Sequence, residues 1–211
     1  QPEKLGIGVK ELYFKPYPSC RYTHPFIEAA LSLRANMILQ LDSIKKISIC
    51  LPKYWWGTAH KIGAGEYFKS YQFSVSYCTA SALIDGKFGL QQIEPGRTDD
   101  ELIQSIQNKI VFSEYLIKKR KNNECSDFGG SLQIELDGGT TYIRDITVAR
   151  GSEDNPLTND ELVMRLVDWN VITLDDANNL LDKVMKLDNK ESMEELIHYL
   201  QYLGEKIITE V

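Results

Sequence analysis

The sequence predicts an α+β fold: a small, mostly antiparallel sheet with helices packed on one side, followed by a helical C-terminal part. Segments that alternate apolar and polar residues, as strands do, are interspersed with helical patterns before residue 150. Two such segments flank Asp137-Gly138-Gly139, a strong hairpin signal. Residues 157–211 instead show helical periodicity. We therefore expect one domain over 1–211, with 157–211 as its helical part.

In the first half of the chain, apolar spacing and turn residues predict strands and helices in alternation. Thr23 offers an N-cap hydroxyl to a helix that has Pro25 in its first turn. Gly86 is a suitable stop for a second, buried helix. The predicted elements are a strand at Gly6–Phe14, the helix after Thr23, a strand at Ile44–Leu51, an aromatic-rich loop at Pro52–Gly65 and a helix at Phe68–Asp85.

In the second half, hydroxyl residues three positions before an acidic residue mark helix starts. Thr98 and Glu101 form one such pair and predict a helix to about Asn108. Thr158 with Glu161, Thr173 with Asp176 and Ser192 with Glu195 predict three more. The remaining elements are a strand at Ile110–Tyr115, hairpin strands at Ser131–Leu136 and Thr140–Val148, and helices near 159–169, 174–186 and 192–203.

Composition excludes several classes of protein. The 211 residues carry a net charge of −6, which gives no basic surface for nucleic acid. We also expect the short basic run Lys118–Lys121 to be a solvated loop. No apolar run reaches the length of a membrane span, and the first residues do not resemble a signal peptide, so we expect a cytoplasmic protein.

The four cysteines and three histidines are scattered, and no pair of cysteines has C-x-x-C spacing. The sequence therefore predicts no zinc site. We also expect no cofactor. Cys50 and Cys78 lie in apolar patterns, which favours buried free thiols over disulfides.

The stretch Lys15–Arg34 concentrates polar and cationic side chains in a loop before a predicted helix. Lys15, Arg21 and His24 surround this loop, and the helix N-terminus would direct free N–H groups towards it. Such a loop is suited to hold an anion, above all a carboxylate. The alternative is that the two cations are solvated and His24 helps to cap the helix.

Three stretches resemble motifs of the MmgE/PrpD family, in the family's order and at about its spacing. KPYPSCRYTHPFIEAALSL resembles K-x-Y-P-x-C…T-H-x-x-I-x-A-A-L. QFSVSYCTASALIDG resembles Q-F-S-x-x-Y-x-x-A-x-A-L-x-D-G, and GSEDNPLTNDEL resembles G-x-x-x-x-P-L-S/T-x-x-E-L. The family includes 2-methylcitrate dehydratase, cis-aconitate decarboxylase and iminodisuccinate epimerase. The resemblance is to its carboxy-terminal domain only.

This resemblance implies a metal-independent lyase, a dehydratase or decarboxylase, acting on a small carboxylate, with an isomerase or cyclase as the alternative reaction. Lys15 matches the lysine of K-x-Y-P and would pair with a substrate carboxylate. Tyr77 matches the tyrosine of F-S-x-x-Y and would donate a hydrogen bond or proton. Cys20, Arg21 and His24 are further candidates for substrate binding. The alternative for Tyr77 is a core tyrosine bonded to a backbone carbonyl.

Nothing in the chain matches the larger helical amino-terminal domain of the family. We therefore expect this chain to be a subunit or fragment that shares its active site with a helical partner, within an oligomer. Tyr71 and the pair Trp55-Trp56 depart from the family's pattern, which leaves the substrate open. The competing interpretation is a stand-alone scaffold or small-anion-binding module without catalysis.

Overall fold

A computed structural model describes residues 13–36, 41–52, 68–94, 96–114, 129–168 and 172–210. These residues form two compact units, one up to Pro156 and one from Leu157 onward. The boundary lies where the sequence predicts the helical part to begin. That both units belong to one domain stays a prediction.

The first unit contains a four-stranded sheet in the order β2-β1-β3-β4. Its strands are β1 (Ile44–Leu51), β2 (Ile110–Glu114), β3 (Gly130–Leu136) and β4 (Thr141–Ile146). β1 pairs with β2 in parallel, whereas the pairs β1–β3 and β3–β4 are antiparallel. The predicted α+β class with a mostly antiparallel sheet is confirmed, and so is the hairpin.

One face of this sheet is buried against helices. Ile47, Ile49 and Leu132 are fully buried and alternate with more exposed neighbours along β1 and β3. Each fully buried Ile or Leu side chain contributes about 1.5–3 kcal/mol to stability. The helices of this unit are α1 (His24–Asn36), which contacts β3 and β4, α2 (Val75–Asp85), which packs on α1, and α3 (Glu101–Gln107), which packs on α2.

The second unit consists of α4 (Asn159–Asp168), α5 (Leu174–Met185) and α6 (Lys190–Glu210). Buried Asp176 joins α5 to α6, because it accepts hydrogen bonds from Lys206 Nζ at 2.6 Å and Tyr199 Oη at 3.2 Å. The Thr158–Glu161 and Thr173–Asp176 caps form as predicted. None of the described helices is long and apolar enough to cross a membrane.

Several predicted helix starts are wrong because a different side chain caps the helix. Ser74 accepts a hydrogen bond from Tyr77 N, so α2 begins at Val75, and residues 68–73 form a 3-10 turn instead of helix. Asp100, not Thr98, caps α3. Asn189 caps α6 through a bond from Ser192 N at 2.9 Å, so α6 begins before Ser192.

Some predictions lie wholly or mainly outside the described residues. These are the strand Gly6–Phe14, the aromatic loop and the basic run Lys118–Lys121. Of the predicted strand, only Tyr13 and Phe14 are described, and neither lies in a strand.

Cys20, Cys50 and Cys78 are free thiols. Cys78 is buried as predicted, but Cys50 is only half-buried and lies 2.9 Å from Ser113 Oγ on β2.

Candidate functional site

An open surface depression of about 210 Å³ lies beside the loop that precedes α1. Two sequence segments that are far apart form its walls. Lys15 and Cys20, both predicted site residues, lie on one wall. The six lining residues are Lys15, Pro18, Ser19, Cys20, Gln72 and Phe73. Of these, Lys15 carries the one formal positive charge.

The backbone of the loop is tied internally rather than left open for an anion. Cys20 N donates to the Gln72 carbonyl at 2.8 Å, and Ser19 N donates to Tyr17 O at 2.8 Å. Thr23 N donates to Cys20 O at 2.9 Å. Carbonyls of the fold thus already accept from these three loop amides. The free N–H groups expected at the start of α1 are different amides, and their role in anion binding stays a prediction. Anion binding in the depression falls to side chains.

The hydroxyl groups next to the loop also point inward. Thr23 Oγ1 donates to Cys20 O at 2.8 Å, so the predicted N-cap hydroxyl bonds to the preceding turn. Ser19 Oγ lies 2.7 Å from Thr23 Oγ1. Thr23 has one hydroxyl hydrogen, which it donates to Cys20 O. Ser19 Oγ therefore donates the hydrogen in its bond with Thr23 Oγ1. Ser19 thus has no hydroxyl hydrogen left to donate to a ligand.

Arg21 is buried and links the loop to residues after β4. Its Nη1 donates to Arg150 O at 2.7 Å, and its Nη2 donates to Ala149 O at 3.3 Å. Its guanidinium also lies 4.9 Å from the centre of the Tyr13 ring. Burial lowers the pKa of Arg21, although Tyr13 and Glu28 act in the opposite direction. A contact between Arg21 and a substrate would require these hydrogen bonds to be exchanged.

His24 is fully buried at the start of α1. Its Nδ1 lies 3.2 Å from Arg21 Nη1, and its Nε2 lies 3.3 Å from Ser19 O. Because a guanidinium can only donate, Nδ1 must accept, and Nε2 carries the hydrogen that Ser19 O receives. Burial, and secondly the charge of Arg21, lowers the pKa of His24 to about 3. His24 is therefore neutral at physiological pH and does not line the depression.

Tyr77 lies on α2 and is fully buried. Its hydroxyl donates to the carbonyl of Gln92 at 2.5 Å, and its ring packs 5.1 Å from the ring of Tyr71. Burial raises the pKa of Tyr77 well above its usual range. The structure thus places the hydroxyl on a backbone carbonyl and not at the depression. Its role as proton donor stays a prediction, which requires the bond to Gln92 to open.

Gly151 holds the backbone immediately before Lys15. Phe14 N donates to Gly151 O at 2.9 Å. Gly151 has a φ of +87°, and a Cβ there would lie 1.9 Å from Phe14 O. Only glycine fits both this conformation and this approach. Gln72 from the second motif stretch and Gly151 from the third therefore both lie near Lys15.

Comparison with known proteins places the chain in a family. A family model for the MmgE/PrpD C-terminal domain matches residues 17–188. This chain belongs to the MmgE/PrpD family. A search of curated proteins finds no significant match to the chain.

The match to the MmgE/PrpD C-terminal domain spans both compact units of the chain. The matched range includes four of the predicted site residues, namely Cys20, Arg21, His24 and Tyr77. Lys15 lies two positions before the first matched residue. Among the described residues, no group of three or more His, Cys, Asp or Glu side chains is arranged to hold a metal ion.

Sequence reasoning missed Gln72 and Phe73 as lining residues of this MmgE/PrpD domain. It placed both inside a continuous helix, whereas they end the 3-10 turn before α2. Ser74 was the available signal, because a serine before an apolar helical run marks a helix start and places the preceding residues in a loop or turn.

Proposed function

We propose that the depression binds one carboxylate group of a small di- or tricarboxylate through Lys15. On this proposal the chain is a subunit or fragment of a metal-independent MmgE/PrpD-type lyase, a dehydratase or decarboxylase. A helical partner domain completes the active site. Family membership suggests lyase chemistry, and the observation that carries the binding site is Lys15 as the one cation among six lining residues.

The proposal of a partner is supported by what the depression lacks. Chemistry on a carboxylate substrate needs a proton donor or acceptor beside the reacting carbon. Among the described residues, His24 beside the loop is buried and neutral, and the Tyr77 hydroxyl is bonded to Gln92 O. A helical partner would therefore supply acid–base groups. Tyr77 would join them if partner or substrate binding released its hydroxyl.

A second candidate function rests on the same observation. If the buried states of His24 and Tyr77 persist in the working protein, the domain binds a small anion without chemistry. The two proposals share the Lys15 contact and differ in turnover, so one set of variants separates them.

The test compares Lys15→Ala with the control Lys87→Ala. Lys87 is an exposed lysine outside the depression whose side chain donates to Gln91. Titration calorimetry with cis-aconitate measures binding to the chain. We expect Lys15→Ala to weaken binding at least about tenfold, because it removes a charge-assisted contact. We expect Lys87→Ala to change binding less than about twofold. Equal effects of the two substitutions would contradict the proposed site.

Turnover is then measured on the complex purified from the native source. Loss of a single charged contact to a transition state lowers the rate by about 10²–10³. We expect that loss for Lys15→Ala if the chain belongs to a lyase. A complex that binds the carboxylate through Lys15 without converting any di- or tricarboxylate would support the anion-binding function.

A further inference from the structure

The last helix, α6, carries a row of apolar side chains that remain exposed to solvent. The row consists of Met193, Ile197, Leu200 and Ile207, which are between 36% and 48% exposed. We call this row the α6 seam. We infer that the α6 seam docks a basic amphipathic helix of another polypeptide. This inference stands independently of the carboxylate proposed at Lys15.

The spacing of the α6 seam is that of a coiled coil. Its successive members are separated by four, three and seven residues, and Gly204 divides the last interval into four and three. Ile197 and Gly204 thus occupy heptad position a, and the other three residues occupy position d. The seam runs about 21 Å along the helix, at about 1.5 Å per residue. A straight apolar row of this length and period matches the side-chain packing of a second helix.

A different row of α6 faces its own unit. Tyr199 and Lys206 bond to Asp176 on α5, and Leu196 and Leu203 in the same row are buried. These positions recur at intervals of three and four residues, so they form one side of the helix. An amphipathic helix packs in a globular unit through a single apolar side. The α6 seam therefore adds apolar surface that the packing of α6 on α5 does not use.

Gly204 leaves a gap in the α6 seam between Leu200 and Ile207. A Cβ at Gly204 would meet no atom of the structure within 4 Å. Glycine weakens the interior of a helix relative to alanine, so its presence calls for a reason. Packing among the described residues supplies none. A docked helix supplies one, because a large side chain of the partner can enter the gap.

The charge of the helical unit indicates the sign of its partner. Residues 157–211 contain 12 Asp and Glu against 5 Lys and Arg, so they carry a net charge of −7, whereas residues 1–156 carry +1. Each of the five basic side chains already pairs with a carboxylate of the same unit, at N–O distances of 2.6 to 3.8 Å. The excess of seven carboxylates therefore has no basic counterpart within the unit and attracts cations from outside it.

A second copy of this chain suits the α6 seam less well than a basic helix does. Pairing two copies would bring together two units that each carry −7, and like charges across an interface oppose association. A helix with Lys or Arg beside its apolar row would instead meet Glu194 and Glu205, which are exposed and lie three turns apart along one edge of the seam. Charges beside an apolar seam determine which helices pair.

Two synthetic helical peptides test the inference. Both carry Ile at position a and Leu at position d, and they differ in having Lys or Glu at the flanking positions e and g. Fluorescence anisotropy measures the binding of each peptide to the full chain. We expect the Lys peptide to bind at least about tenfold more tightly than the Glu peptide at low salt, and added NaCl to reduce this difference.

Leu200→Gln and Leu174→Gln form a matched pair, since both leucines are 48% exposed and Leu174 lies on α5, outside the α6 seam. Leu200→Gln should weaken binding of the Lys peptide at least about tenfold, because an apolar contact is lost. Leu174→Gln should change it less than about twofold. Glutamine is neutral and suits a helix, and thermal melting confirms that both variants stay folded. Equal effects of the two substitutions, or equal binding of the two peptides by wild type, overturn the inference.

Cross-linking identifies the natural occupant. The full chain with a photoreactive residue at position 200, or at 174 as the control, is added to an extract of its native source, and mass spectrometry sequences the cross-linked segment. From position 200 alone, we expect a segment of another polypeptide with apolar residues every three or four positions and an excess of Lys and Arg. A cross-link to a second copy, to the chain's own residues 13–156 or to an acidic segment overturns the inference, as does the lack of a cross-link specific to position 200. None of these outcomes changes the expected binding of cis-aconitate at Lys15.

Discussion

At the scale of single residues, the groups beside the loop divide into those that face the depression and those that hold the fold together. Lys15 belongs to the first set. Arg21 and His24 belong to the second, because they bond to each other and to carbonyls of Ala149, Arg150 and Ser19. Residue type alone predicted all three as ligand-binding groups. The carbonyls that accept from Arg21 lie 128 and 129 residues further along the sequence. A local sequence pattern cannot predict hydrogen bonds over such a separation.

The buried state of His24 makes stability depend on pH. Its pKa in the folded chain is about 3, against 6.5 for an ordinary histidine. Between these values the unfolded chain binds the extra proton, so the free energy of unfolding falls as pH drops below 6.5. About 2 kcal/mol should be lost by pH 5. Urea unfolding at several pH values measures this loss.

The matched pair for this pH prediction is His24→Asn and His198→Asn, since His198 is exposed on α6. The first substitution should flatten the pH dependence between 6.5 and 5, and the second should leave it unchanged. Ring nitrogen NMR of the wild-type chain gives an independent reading, with the hydrogen of His24 on Nε2. Titration of His24 near pH 6.5 would contradict the assignment.

Gly151 offers a test of how Lys15 is held in place. Gly151→Ala combines a φ of +87° with a contact of 1.9 Å to Phe14 O. Gly139→Ala is the control, because its φ is +80° and a Cβ there meets nothing within 4 Å. The control should cost about 1 kcal/mol of unfolding free energy, whereas Gly151→Ala should cost several. Equal losses in chemical denaturation would show that backbone strain alone matters at Gly151.

At the scale of elements, the segment between α2 and α3 is held by polar bonds that converge on Gln92. Gln92 accepts from Tyr77 through its carbonyl and donates from Nε2 to Asp85 at 3.0 Å. Arg97 pairs with both Asp85 and Asp100, which caps α3. The end of α2 and the start of α3 are thereby fixed to one turn.

Removal of the Tyr77 hydroxyl should therefore affect stability as well as any catalysis. Tyr77→Phe leaves the buried Gln92 carbonyl without its donor, which should cost about 1–3 kcal/mol of unfolding free energy. Tyr202→Phe, which alters a half-exposed ring stacked on Tyr199, should cost less than about 0.5 kcal/mol. Denaturant titration compares the two. A wild-type unfolding free energy in Tyr77→Phe would mean that the hydroxyl is free for other partners.

The pair α5–α6 depends on the contacts of Asp176. Lys206→Met removes one of its hydrogen-bond donors and should speed amide hydrogen exchange across residues 199–206 by about tenfold or more, because local opening becomes easier. Lys190→Met is the control, since the Lys190 side chain is 91% exposed and pairs only loosely with Glu194 at 3.5 Å. Similar exchange in both variants would show that apolar packing alone holds α6.

How much of the fold the sequence predicts follows from the range of each interaction. The hairpin β3–β4 and the caps at Thr158 and Thr173 were predictable, because their signals span only a few residues. The parallel pairing of β1 with β2 was not, since periodicity identifies a strand and says nothing of its neighbour. Gln72 and Phe73 were missed because a helical period continues through the capping residue Ser74 into the turn before it.

At the scale of the whole molecule, the family match covers the carboxy-terminal domain alone. We predict that the chain purified from its native source carries a helical partner and that the chain alone has less than about 1% of the complex's activity, since one missing set of acid–base groups costs 10²–10⁴ in rate. Native mass measurement and assay of the separated components check this. Full turnover by the isolated chain would rule out a shared site.

The pairing of β1 also has a consequence for the time course of folding. Cys50 on β1 meets Ser113 on β2 across 63 residues, and Lys45 meets Glu135 on β3 across 90. β1 is thus synthesised well before β2 and β3 and stays without these neighbours until the later segments emerge from the ribosome. Contacts between residues so far apart in sequence slow refolding to about milliseconds or seconds. During that time the unpaired apolar strand can aggregate with other chains. We expect refolding yield to fall with protein concentration, and expression to benefit from slower synthesis at lower temperature.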